Sequence, residues 1–186
     1  MQGKISLRLS AAMAIFIVGV FLILRSVIAP AFEELELSAA HSDLIRAEQA
    51  IQTDIENLVA VSLDWAPWDD MYEYVAGRNP GFQKSNLDRS TLSNLGLDML
   101  AIYDFGGRLK WGQLQVEGEK QPLDALGLLG EGDPAAHLLT THATPHNATV
   151  GIVDTGLGPM IISSQPILRN DSSGPVAGAL IMAQLL

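Results

Sequence analysis

The densest chemistry in this 186-residue chain lies in Asp64-Trp65-Ala66-Pro67-Trp68-Asp69-Asp70-Met71-Tyr72-Glu73-Tyr74, which holds two of its three tryptophans and two of its three tyrosines. Rings give rigid apolar contact at low entropic cost, and carboxylates give directed acceptors, so the segment has the makings of a recognition site. Trp65, Trp68, Asp69, Asp70 and Tyr72 are its candidate ligand-binding residues. The same residue types also anchor a helix end to a sheet, with aspartates capping or solvating the junction. Sequence leaves both readings open, because exposure is not legible in it.

Catalytic constellations are missing. Asp69 and Asp70 are adjacent, so their side chains diverge on either a helix or a strand and make a poor acid–base pair. No glycine-rich phosphate cradle, nucleophile elbow or paired-cysteine motif is present. His137, His142 and His146 are close in sequence, but Pro145 spoils a helical ligand pair and residues 140–144 read as loop, so solvated loop histidines are expected. No metal, cofactor or catalytic residue is assigned. Asn147-Ala148-Thr149 and Asn170-Asp171-Ser172 match the glycosylation sequon, a pattern short enough to arise by chance. A net charge of -10 argues against nucleic acid as a partner, and the lack of cysteine is neutral about compartment.

The elements that must carry the aromatic block begin with an apolar run over residues 9–24, extending through Ala29. About twenty such residues suffice to cross roughly 30 Å of hydrocarbon, with Arg25 reaching back to the interface. Lys4 and Arg8 precede the run, and Glu33, Glu34 and Glu36 come after it. The positive-inside rule therefore keeps the N-terminus in the cytoplasm and exports the chain beyond Pro30. An uncleaved anchor in the inner membrane is the expectation. Ala29-Pro30-Ala31 offers the rival reading of a cleaved signal peptide. This divides the chain into a membrane segment over residues 1–30 and a periplasmic domain over residues 31–186, the latter large enough for its own core.

Residues 33–65 contain no Gly or Pro. Leu37, Leu44, Ile51, Leu58 and Trp65 recur every seven residues, with Ala40, Ala47, Asp54, Val61 and Trp68 in the companion register. A helix of that length reaches about 50 Å, and its seam suits either a homodimer or packing on the protein's own sheet. Pro67 should end or kink it. Further on, residues 86–94 and 123–129 read as short helices. Strands are expected at 97–103, 108–113, 149–153, 160–168 and 176–185, joined by Gly- and Asn/Asp-rich turns. Five antiparallel strands against a long helix define an α+β domain.

Trp65-Ala66-Pro67-Trp68-Asp69-Asp70-Met71-Tyr72, then Asn86, Thr91-Leu92, Asp104-Phe105-Gly106-Gly107, Gln165-Pro166-Ile167-Leu168, Ser173-Gly174-Pro175 and Gly178 resemble the type-four CHASE family over roughly residues 50–186. These are extracellular sensory domains of bacterial and archaeal receptors. The resemblance implies a Cache- or PAS-like fold, with a long N-terminal helix on an antiparallel sheet. It further implies a second membrane helix and a cytoplasmic diguanylate cyclase, phosphodiesterase or histidine kinase beyond Leu186. By the same analogy Tyr103 and Arg169 join the ligand-binding residues. Two carboxylates, rings and one guanidinium would suit a small zwitterionic or cationic solute. The alternative is a structural spacer or dimerisation element with no ligand of its own.

Overall fold

The computed structural model describes residues 2–88, 90–129 and 134–186, and divides into two compact units, Met1–Ala50 and Ile51–Leu186. In the first, α1 (Gln2–Ile23) passes through a π-helical stretch, Leu24–Ile28, into α2 (Ala29–Trp65). Ser26 donates its hydroxyl to the Leu22 carbonyl within that stretch, a side-chain bond of the kind that accompanies a locally widened helix. Leu9–Ser26 has a mean hydropathy of 2.2 and is long and apolar enough to cross a membrane by length and composition. Its large side chains are exposed all round: Met13, Phe16, Ile17, Phe21 and Leu22 have no protein to pack on.

The second unit is a six-stranded antiparallel sheet with helices on both faces, an α+β fold. Its strands are β1 (Met99–Asp104), β2 (Leu109–Val116), β3 (Glu119–Gln121), β4 (Thr149–Thr155), β5 (Gly158–Ile167) and β6 (Gly178–Leu185), in the order β3-β2-β1-β6-β5-β4. β1 and the last strand, β6, lie together at the centre, and β1 is buried along its whole length. Gly178 is required where they meet, because a Cβ there would sit 2.0 Å from the Tyr103 carbonyl oxygen.

Strand alternation sorts the core into two layers. Leu100, Ile102, Ile161, Ile167, Leu180 and Met182 face the end of α2, α3 (Asp69–Val75), α4 (Phe82–Asn86) and α5 (Thr91–Leu95). Met99, Ala101, Tyr103, Met160, Ile162 and Ile181 face the other way. They meet Leu126 of a 3₁₀ turn (Leu123–Leu126) and Leu139 of α6 (Pro134–Thr140).

Several elements differ from expectation. β3 is a sixth strand, hidden in sequence because Glu-Lys-Gln has no apolar alternation; the tight Glu117-Gly118 turn, both residues at positive φ, creates it. Of the helix expected over residues 86–94 only the single turn α5 forms, with α4 ending at Asn86 ahead of it, and the helix expected over 123–129 is only the 3₁₀ turn. α6 was not foreseen. The second compact unit begins at Ile51, within α2.

Within the second unit the heptad positions of α2 turn inward: Leu58 is buried, and Val61 and Trp65, with Ile55 beside them, pack on the same layer. A buried polar chain fastens the helix to the sheet. The Gln165 amide donates to Ser163 Oγ at 3.1 Å, and Ser163 and Ser62 hydroxyls meet at 2.7 Å. Ser62 in turn donates to the Val59 carbonyl at 2.9 Å. Each hydroxyl passes its proton onward, so the chain is satisfied from end to end.

Candidate functional site

Pro67 has no N–H to continue α2, and the chain turns there against the strand end. The Leu168 N–H donates to the Ala66 carbonyl at 3.2 Å, and Pro67 pairs with Leu168 in a single parallel bridge. The aromatic block is thus stitched to the residue just beyond β5. Trp68, extended at φ -125°, precedes α3, whose first turn carries Asp69 and Asp70, where negative charge suits the helix dipole.

Around this corner the rings form a chain. Trp65 and Trp68 meet edge to face at 5.8 Å, Trp68 meets Phe82 edge to face at 5.3 Å, and Tyr74 stacks on Phe82 at 5.1 Å. Both tryptophans are half-buried. Asp64, Trp65, Pro67, Trp68 and Asn170 line an open depression of about 330 Å³.

Beside it lies a charged cluster. The Arg169 guanidinium sits 4.4 Å over the Tyr72 ring and donates to Glu73 at 3.1 Å, while Arg78 bonds the other Glu73 oxygen. The Arg78 bond, seconded by Arg169, holds the Glu73 carboxyl below its ordinary range. Asp69 is joined reciprocally to Asn170: its N–H donates to Asn170 Oδ1 at 2.9 Å, and its Oδ1 accepts from the Asn170 N–H at 3.1 Å. Asp70 is exposed and receives long bonds of 3.4 Å from the Asn79 amide.

Trp65, Trp68, Asp69, Tyr72 and Arg169 are therefore brought together at one corner, with Asp70 at its outer edge. Tyr103 is not among them. It belongs to the core layer on the opposite sheet face, because its neighbour Ile102 already points toward the helices and alternation sends Tyr103 the other way. Glu73 and Asn170, absent from the sequence-based set, supply much of the bonding. Glu73 lies within the aromatic block itself, so its signal was there in the sequence.

The histidine expectation also needs correction. His137 and His146 are exposed, but His142 is only 3% exposed and is held by the Asn147 carbonyl and by Ser164 Oγ at 2.9 Å. Burial pushes its pKa down, opposed by the Asn147 bond. Among the described residues no group of three or more His, Asp or Glu is placed to hold a metal ion.

A helix end locked to an antiparallel sheet by an aromatic corner, in a unit that comes after an apolar helix, is the architecture of a sensory domain. Residues 50–186 match the CHASE4 domain family, and the chain belongs to that family. It is also similar to the methanogenesis regulatory histidine kinase FilI of Methanothrix harundinacea (strain 6Ac), with 30% identity over 156 residues. That alignment covers 82% of this chain and 17% of the relative's length.

Proposed function

We propose that this chain is the extracytoplasmic sensory part of a membrane receptor, that it binds a small molecule, and that it works as a homodimer whose output is a histidine kinase, as in the relative. The apolar helix is the anchor, with Lys4 and Arg8 on the cytoplasmic side and residues after Pro30 outside. The observation that carries the reading is the corner at the end of α2. Leu168, Arg169 and Asn170, in the connection between two neighbouring strands, bond Ala66, Glu73 and Asp69 in that order. A ligand that shifted this connection would pull on the helix that leads back to the anchor.

In this reading the depression beside Trp65 and Trp68 takes a zwitterionic or cationic solute. Asp64 is the carboxylate that lines it, while Asp69, Tyr72 and Arg169 belong to the bonded cluster beside it and Asp70 to the outer edge of the corner. A second reading is favoured by one fact: Asp69 and Arg169 already spend their bonding capacity on Asn170, Glu73 and Tyr72. The block would then be a lock only, and the domain a spacer.

The test is thermal unfolding of the full chain in lipid nanodiscs against a panel of amino acids and amines, with Asp64→Asn alongside. A saturable rise in midpoint that Asp64→Asn abolishes supports sensing at this corner. No rise with any member leaves the lock. Membrane placement is tested separately with a reporter fused after Leu186, which should be active outside the cytoplasm and remain membrane-bound.

A further inference from the structure

α1 runs into α2 through the π-helical residues Leu24–Ile28, which lie at the end of the apolar stretch Leu9–Ser26. A π turn closes its hydrogen bond one residue further along than an α turn does, and such turns are rare without a local cause. Two causes meet at Ser26. Its hydroxyl donates to the Leu22 carbonyl, the acceptor that its own N–H takes in an α ladder. Four residues on stands Pro30, which has no N–H to offer the Ser26 carbonyl. An α ladder here is contested at one carbonyl and short of a donor at another, so a wider turn gives up little by comparison. The place keeps the balance close: Ser26 is exposed at the boundary of the apolar stretch, where water can take up a carbonyl that either form leaves over.

The geometric consequence of exchanging the two forms is large. Each residue of an α-helix advances about 100° around the axis, and a π turn takes in one residue more. Replacing the π stretch by α-helix therefore turns everything beyond it by about 100° relative to α1. That is one residue's advance, so the direction held by Leu37 and Leu44 in the π form passes to Glu36 and Asp43 in the α form. All four residues are exposed, and all belong to the first compact unit together with α1. The turn exchanges an apolar stripe for an acidic one, and acidic stripes on two copies repel each other.

We propose that Leu24–Ile28 is a rotational coupling that interconverts between the π form and a continuous α-helix, turning α2 between an apolar and an acidic face toward a second copy. Its part in signalling rests on the receptor reading given above; the rotation itself does not.

The test uses the full chain in nanodiscs, with histidine pairs that chelate Cu(II) and so report which form is present. Residues five apart share a side in the π form and not in the α form, and residues three apart the reverse. Ile23→His with Ile28→His is the π reporter, and Leu24→His with Val27→His the α reporter. Each is compared with its single-histidine variants and with the same pair in a Ser26→Ala/Pro30→Ala chain, which restores the α ladder; Pro30→Ala alone replaces that background should it fail to fold. The π reporter should bind about tenfold more tightly in the parent than in the restored chain, and the α reporter about tenfold more weakly, the α form being the parent's minor state. With one equivalent of Cu(II), the α reporter in the parent should still show two imidazole nitrogens by EPR, because chelation selects the α form. Single cysteines at Leu37 and Leu44 should cross-link less in the restored chain than in the parent. Four results would each overturn the proposal. These are a π reporter no tighter in the parent, an α reporter as tight in the parent as in the restored chain, single-imidazole coordination by the α reporter in the parent, which means a fixed π form, or cross-linking undiminished in the restored chain. Cross-linking absent from both chains would remove the paired-helix reading instead, and copper alone would then decide the coupling.

Discussion

Asp69 and Asn170 hold each other through two hydrogen bonds, each backbone N–H donating to the other's side-chain oxygen, across 101 residues of sequence. The pair links the first turn of α3 to the β5–β6 connection without a charge partner. Asp69→Ala and Asn170→Ala should each lower stability by about 1 kcal/mol, and the double variant should lose clearly less than the sum. Urea unfolding of the four chains gives the coupling; strict additivity would mean the two bonds do not act as one clasp. Asp69→Asn keeps an acceptor oxygen and should be nearly neutral for folding.

Trp68 is the middle of the ring chain, touching Trp65 and Phe82. Trp68→Ala should cost about 2 kcal/mol, below the usual figure for a fully buried tryptophan because the ring is half-exposed. A Trp68→Phe variant should recover most of this. If Trp68→Ala unfolds no more easily than the parent, the ring chain contributes ligand contact rather than stability.

Ser163 both receives the Gln165 amide and meets Ser62, and both serines are fully buried. Ser163→Ala would leave the amide without an acceptor and interrupt the chain, so a loss of about 1–3 kcal/mol is expected. Ser62→Ala should be milder: it takes away the acceptor of the buried Ser163 hydroxyl but leaves the Gln165 bond intact. Equal losses would show that the bond between helix and strand, rather than satisfaction of Gln165, sets the cost.

The folded environment gives stability two pH limbs. Glu73 and Asp104 lie below their ordinary values of 4.5 and 3.8. For Glu73 the cause is the Arg78 bond, aided by Arg169; for Asp104, burial pushes upward but the backbone and guanidinium bonds of Arg108 prevail. Their contribution is complete above the unfolded values and is lost as pH falls through the folded ones. His142 is a base lowered from 6.5, so between its folded pKa and 6.5 the unfolded chain binds more protons and stability rises with pH. Unfolding midpoints should therefore start to fall as pH drops below about 6.5, and His142→Gln should remove that upper limb while leaving the acid one.

The heptad seam behaves differently along its length. Leu37 and Leu44 are 72% and 66% exposed, whereas Leu58 is 2% exposed. If a second copy covers the exposed stretch, single cysteines at Leu37 and Leu44 should cross-link in membranes and one at Leu58 should not. Failure at both exposed positions would remove the paired-helix proposal.

The features that the sequence determined by itself are those that depend on neighbours in the chain. Hydropathy placed the apolar helix, seven-residue spacing placed α2, and Pro67 placed its end. Alternation and turn residues placed five of the six strands to within a few residues. The aromatic block was legible because its members are neighbours in sequence. Tertiary structure decided which sheet face α2 covers, a choice that no local signal makes and that sends Tyr103 to the opposite layer from the corner it was expected to join. It also decided what the loop histidines do. Residues 141–148 are indeed loop, but Ser164, on a strand 22 residues further along the chain, meets His142 and helps turn a loop histidine into a buried one. Local pattern sets each element, because backbone geometry and periodicity are short-range; burial and proton sharing are fixed only when elements from far along the chain meet.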